Sequence, residues 1–304
     1  MRTGIYSLFF LFLFSFSSCR YSELDEDYNE LFDMIESSET TTHAISFDTM
    51  KAVNTQDISP NCTTEDLYGI QVYFKPNLQE SEYKPYAYGL FNDTQDLQIK
   101  LLENYLYKVV CTRIVNGVEK VAHDAESNAY WNPFITLTAT PLNNKFQYST
   151  KAEMKDLGKS QTMLIDENNQ HKLYNTPNVD RYYGELNDFQ PSWAETTITL
   201  KLNRVACDVL FVLEGDDADA QFKIWIDGTP IPYSPQIEQG YIIVRNVITL
   251  PEDRTQKHLW YDTEYKKTLN TVLSWQSDQQ EERNYSENKI YSHKQENNII
   301  FYAY

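Results

Sequence analysis

The chain has 304 residues, with 26 Lys and Arg against 44 Asp and Glu, a formal net charge of −18. No Lys/Arg-rich run interrupts that acidity, which argues against a nucleic-acid binder, because such a protein exchanges basic side chains for the counterions of a phosphate backbone. A content of 41% hydrophobic and 23% charged residues describes a folded chain, and 23 Tyr, 15 Phe and 5 Trp beside only 9 Gly favour sheets, whose pleated half-buried surface accommodates rings.

Residues 1–18 read as a signal peptide: Arg2, an apolar stretch from Leu8 to Phe16, then Ser17 and Ser18 ahead of Cys19. The stretch falls short of the roughly 20 apolar residues that span a bilayer. Phe16-Ser17-Ser18-Cys19 resembles the lipobox of bacterial lipoproteins, with Phe16 where Leu is usual. That resemblance implies cleavage before Cys19 and acylation of its sulfur and its new amine. The alternative is an ordinary secretory signal with a chance Cys at its end. Each buried methylene contributes about 0.8 kcal/mol, so acylated Cys19 would hold the protein on a membrane.

Residues 19–40 read as an acidic tether, carrying Glu23, Asp25, Glu26, Asp27, Glu30, Asp33, Glu36 and Glu39. Leu24, Tyr28, Leu31, Phe32 and Ile35 share one helical face, and Ser22 and Asp25 have capping-box spacing, so the segment is either a short helix or a disordered spacer. Acidic residues soon after the cysteine resemble the surface-export signal of Bacteroidales lipoproteins. This implies an outer-membrane location facing the cell exterior.

The body divides into expected sandwich domains at 41–190 and 191–304, with the Asn-, Asp- and Pro-rich Tyr174 to Ser192 as the crossing. Half-buried strands are predicted where apolar residues alternate: Tyr68-Ile70-Val72-Phe74, Leu97-Ile99-Leu101, Phe222-Ile224-Ile226 and Leu269-Thr271-Leu273-Trp275. Asn116-Gly117 and Asp227-Gly228 predict two-residue hairpin turns. Between Thr197 and Leu213 the apolar positions switch from even (Ile198, Leu200, Leu202) to odd (Val205, Cys207, Val209, Phe211, Leu213), which places a bulge at Asn203-Arg204. The β-prone Asn298 to Tyr304, with Ile299, Phe301 and Ala303 on one side, must either close its own sheet or be given to another subunit.

Catalytic chemistry has little support. His43, His123, His171, His258 and His293 are scattered, with neither a zinc-ligand pair nor a Gly-x-Ser-x-Gly elbow, and no cofactor is implied. Glu214, Asp216, Asp217 and Asp219 read as a solvated hairpin tip rather than a calcium loop. Cys111 and Cys207 lie in strand patterns and read as small buried hydrophobes, with Cys62 the third cysteine after Cys19. Tyr86, Tyr88, Tyr130, Trp131, Tyr182, Tyr183 and Trp193 are candidates for an exposed ring patch that would stack on sugars, against the plainer reading that they fill the core.

The lipidated Cys19, the strand segment Ile198-Thr199-Leu200-Lys201-Leu202-Asn203-Arg204-Val205-Ala206, the stretches Tyr86 to Phe91 and Asp180 to Leu186, and a last strand after Asn297-Asn298 together resemble the fimbrillin-like surface lipoproteins of Bacteroidales. The resemblance covers residues 60–304. It implies a mainly β fold of two transthyretin-like β-sandwich domains in tandem behind the signal and tether. It also implies a non-catalytic structural or adhesive function, as a pilus subunit, tip or anchor-like component. The implied partners are the membrane through Cys19, other pilus subunits, and host or bacterial surface ligands. Glycan capture by a carbohydrate-binding surface lipoprotein is the alternative.

Overall fold

The computed structural model describes residues 33, 35–49, 65–77, 81–166, 168–214, 221–232, 236–238, 241–276, 282–293 and 297–302. The signal peptide with Cys19, most of the tether, Cys62, the acids at 216, 217 and 219, and Ala303 lie outside these residues. The fold is mainly β, with strands numbered β1 to β21 in chain order.

The largest sheet has eight strands in the order β4 (Gln98–Leu102), β1 (Thr40–Thr49), β13 (Thr197–Arg204), β12 (Arg181–Phe189), β5 (Tyr105–Ile114), β2 (Leu67–Pro76), β3 (Lys84–Phe91) and β9 (Gln147–Tyr148). Its two ends meet through tyrosines. The Tyr86 hydroxyl on β3 donates to the Lys100 carbonyl on β4 at 2.7 Å, and the Lys100 N–H donates to the Tyr148 hydroxyl on β9 at 3.1 Å. The sheet therefore curls around one apolar cluster that contains Ile45, Tyr68, Ile70, Val72, Tyr86, Ile99, Tyr107, Ile198, Leu200 and Leu202. Ile35, the last residue of the predicted helical face of the tether, is helical and buried in the same cluster.

β2 was expected to be half-buried, but it is covered on both faces over Leu67 to Val72. The second face is closed by residues 134–157: Phe134 and Leu157 lie against Gly69, and Gln71 Oε1 accepts the Met154 N–H at 2.8 Å. Small sheets accompany this layer, β10 (Thr162–Ile165) with β11 (His171–Tyr174), and β6 (His123–Asp124) with β7 (Ala129–Ile135) and β8 (Ala139–Pro141).

The later residues form two four-stranded sheets. One has the order β17 (Gln236–Glu238), β18 (Tyr241–Thr249), β14 (Ala206–Glu214), β21 (Asn297–Tyr302), and the other β16 (Thr229–Ile231), β15 (Gln221–Ile226), β19 (Lys266–Gln276), β20 (Arg283–Ser292). Their inner residues share one cluster: Cys207, Val209, Phe211, Val244 and Ile299 from the first sheet, and Ile224, Ile226, Leu269, Leu273 and Tyr291 from the second. The same cluster runs on into Leu67, Phe134, Leu157 and Tyr183, so the two halves of the body are packed on a common core.

Three local expectations have distinct outcomes. Asp227-Gly228 is the predicted two-residue turn: Ile226 pairs with Thr229, and both turn residues have positive φ, 49° and 77°, which glycine adopts without steric cost. Asn116-Gly117 is not a hairpin. Asn116 has the expected positive φ of 53°, but Gly117–Lys120 is a single helical turn, α1. Gly117 is needed there for close approach, since a Cβ would lie 3.0 Å from the Leu67 Cβ and 3.2 Å from the Ile114 Cβ. In the third case, the change of parity after Leu202 marks a change of sheet. Asn203 and Arg204 pair in register with Tyr183 and Tyr182 and form no bulge with them, while Val205 lies outside both strands. β13 thus belongs to the eight-stranded sheet with β1, and the chain leaves that sheet at Val205 rather than at residue 190.

Candidate functional site

The most specific arrangement for an assembly or surface protein is the seat of the last strand. β21 runs parallel to β14 along the sheet edge, with Ile299 opposite Phe211 and Phe301 opposite Leu213. Alternation along the strand decides what it buries: Ile299 is 1% exposed and lies between the sheets, whereas Ile300 is 51% exposed. Its entry is fixed by side chains. Asn297 Nδ2 donates to the carbonyls of Asp208 (3.1 Å) and Ser292 (3.3 Å), and Asn297 Oδ1 accepts the Ser292 N–H at 3.2 Å. His293 is the first residue of the connector from β20. It places Nε2 2.9 Å from the Trp260 carbonyl and Nδ1 3.4 Å from the Ala206 carbonyl, stacked on Tyr265. Burial holds its pKa below the ordinary imidazole value, against the two carbonyls.

Arg204 staples the point where the chain changes sheets. Its Nε donates to Asp180 Oδ1 at 2.7 Å, and its two terminal nitrogens donate to the two oxygens of Asp208 at 2.8 and 2.7 Å. Burial works against the Arg204 charge, but the hydrogen bonds and charges of Asp208 and Asp180 outweigh it and raise the pKa. Arg181 is fully buried and donates to the carbonyls of Ser160 (3.0 Å) and Leu157 (2.8 Å), with its guanidinium 5.3 Å from the Trp260 ring. Burial lowers its pKa to about 9. A further buried ion pair, Arg113 with Asp66 at 2.6 Å, closes the end of β5. Carboxylates engage Arg204 and Arg113 and main-chain oxygens engage Arg181, so these side chains hold strands together. Sequence patterns gave Arg113 and Arg181 no role, because an Arg within a strand pattern looks the same whether it points into the core or out.

The seven candidate rings do not converge on a surface. Tyr86, Tyr130 and Tyr183 are buried; Tyr88, Trp131 and Tyr182 are half-buried; only Trp193 is exposed, at 74%. Tyr86 packs edge-on against Tyr107 and Tyr148 at ring separations of 5.2 and 5.5 Å, which is core geometry. Cys111 and Cys207 are buried free thiols, and burial raises the pKa of each. Among the described residues, no group of three or more His, Cys, Asp or Glu is placed to hold a metal ion. Among the same residues, no helix is long and apolar enough to cross a membrane.

No protein-family model matches the chain, and no curated protein matches it. Solved structures give loose likenesses. A candidate adhesin of Bacteroides ovatus is 11% identical, with 84% of this chain and 85% of that one covered and a TM-score of 0.42. A protein of Bacteroides thetaiotaomicron described as a candidate polysaccharide binder is 13% identical, covers 78% and 76%, and has a TM-score of 0.39. A fimbrial anchor protein of Porphyromonas gingivalis is 8% identical, covers 78% of each chain, and has a TM-score of 0.35. Among the solved structures that this chain resembles are candidate adhesins and fimbrial proteins of Bacteroidales.

Proposed function

We propose that the protein is a non-catalytic adhesive or structural lipoprotein of the cell surface, held at the outer membrane by acylated Cys19 and facing the exterior. On this reading it is a tip, anchor-like or other accessory component of a pilus rather than a repeating subunit. The observation that carries the distinction is the seat of β21, which completes the chain's own sheet with Ile299 buried against Phe211. A last strand held at home is not the one given to a neighbour. The dispersal of the histidines and the mutual engagement of Arg204, Asp180 and Asp208 support the non-catalytic part. The polar and acidic body, at a net charge of −18, suits a protein held off an anionic lipid surface by a tether.

The test has two arms. Labelled palmitate should enter the wild-type protein and not Cys19→Ala, and the wild type should be protease-accessible on intact cells. The detergent-solubilised protein should run as a monomer on size exclusion and give no SDS-resistant ladder. A ladder abolished by deleting residues 297–304 would instead make it a strand-exchanging subunit.

A further inference from the structure

Two hairpins, from different parts of the chain, face each other across a groove of about 580 Å³. That volume lies within the range of roughly 300–1,000 Å³ usual for small-ligand sites. One wall is β10 and β11 with their connecting turn, and the other is β15 and β16 with the Asp227-Gly228 turn. Just past β11, Thr176 Oγ1 donates to Asp227 Oδ2 at 3.2 Å and ties the two walls together. Both turns are set in advance. Asp166 Oδ1 accepts the N–H groups of Asn168 (2.9 Å) and Gln170 (2.8 Å), and Asn169 takes the positive φ that closes that turn.

The lining combines aromatic rings, Trp225 the largest of them, with polar groups of both kinds. Trp225 alternates with the inward-facing Ile224 and Ile226, so its indole lies on the outer side of β15, half-buried, opposite Pro230. Across from it stand Asp166, Asn168 and Lys172, the last with its Nζ 5.3 Å from the Tyr174 ring centroid. Lys223 completes the near wall.

An apolar ligand would strip water from these polar groups without replacing it. A polyanion would meet a body of net charge −18 with only two lysines in the groove to offset it. A sugar ring matches both features, because its C–H face stacks on an indole while its hydroxyls donate to Asp166 and accept from Lys172 and Lys223. We infer that the groove between the β10–β11 and β15–β16 hairpins binds a neutral glycan, with Trp225 as the stacking platform and Asp166, Asn168, Lys172 and Lys223 as the hydroxyl partners. This rests on the surface-adhesive reading and supplies it with a ligand class.

The experiment is native electrophoresis of the detergent-solubilised full-length protein. The gels contain yeast mannan, dextran, galactomannan or xyloglucan, or the anionic polygalacturonate or heparin. At least one neutral polymer should retard the wild type, and Trp225→Ala should weaken that binding by about tenfold or more, as loss of a buried aromatic anchor does. Lys172→Gln, at an exposed position of β11, should weaken it with the fold intact, while Trp193→Ala should leave it unchanged. Retardation by no neutral polymer, retardation indifferent to both groove variants, or retardation by the anionic polymers alone would overturn the inference. Adhesion of cells displaying the protein separates the two levels. Adhesion that persists without a gel shift removes the groove and keeps the adhesive reading, whereas absence of adhesion by the intact protein removes the reading itself.

Discussion

The side-chain amide of Asn297 reaches the main-chain oxygen of Asp208 at 3.1 Å, and so fastens the last strand to the strand it parallels. Asn297→Ala removes this bond and those to Ser292, at a cost of about 1 kcal/mol for a net intramolecular hydrogen bond. Ile299→Ala also opens a cavity between the sheets and should cost about 2–5 kcal/mol. Urea unfolding reads both, and amide exchange should localise the Asn297→Ala effect to residues 297–302. Exchange there that is already unprotected in the wild type would contradict the seat of β21.

Arg204 supplies the second prediction. Replacing it with Met leaves Asp180 and Asp208 without their cation close to the core and should destabilise by about 3–5 kcal/mol, the range for breaking a buried pair from one side. Removing Asp180 as well, in Arg204→Met/Asp180→Leu, should recover part of that loss, because the uncompensated carboxylate goes with its partner. A double variant no better than the single one would show that Arg204 acts through packing alone.

The pH dependence follows from His293. Its folded pKa lies below the ordinary 6.5, chiefly through burial, with the Arg204 charge pushing the same way and the Trp260 and Ala206 carbonyls opposing. As pH falls, the unfolded chain therefore takes up this proton first. The stabilisation is complete above pH 6.5 and is lost as the pH drops through the folded value. His43 has the same sign, also through burial. Melting between about pH 7.5 and about pH 5.5 should show a falling Tm, with a shallower fall in His293→Gln. An unchanged slope would mean that other groups carry the acid sensitivity.

The Asp227-Gly228 turn gives the fourth. At φ 77° an alanine is strained, so Gly228→Ala should cost about 1 kcal/mol although nothing lies within 4 Å of the added methyl group. Thermal melts would register it. A neutral result would mean that the turn relaxes to another type.

The sequence was legible where a pattern is local. Alternation over 222–226 and 269–275 and the Asp-Gly pair at 227 and 228 each translate directly into backbone geometry, and β15, β16 and β19 follow them. It was ambiguous where one signal serves two structures. The parity change after Leu202 has the same appearance for a bulge and for a strand that leaves one sheet for another, and Asn116-Gly117 satisfies a helical turn as well as a hairpin. It was silent on pairings between distant segments. Ser46 meets Thr199 across 153 residues, and no periodicity announces that contact. The facing walls of the groove are hidden for the same reason: Trp225 and Lys172 belong to separate hairpins that only the common core brings opposite each other.

β1 lies between β4 and β13, hydrogen-bonded along both edges. A pull on the chain ahead of Thr40 enters along the axis of this strand, so both ladders share the load at once instead of opening rung by rung from an end. Mechanical rupture by tension applied at Thr40 should therefore require far more force than peeling an edge strand such as β20.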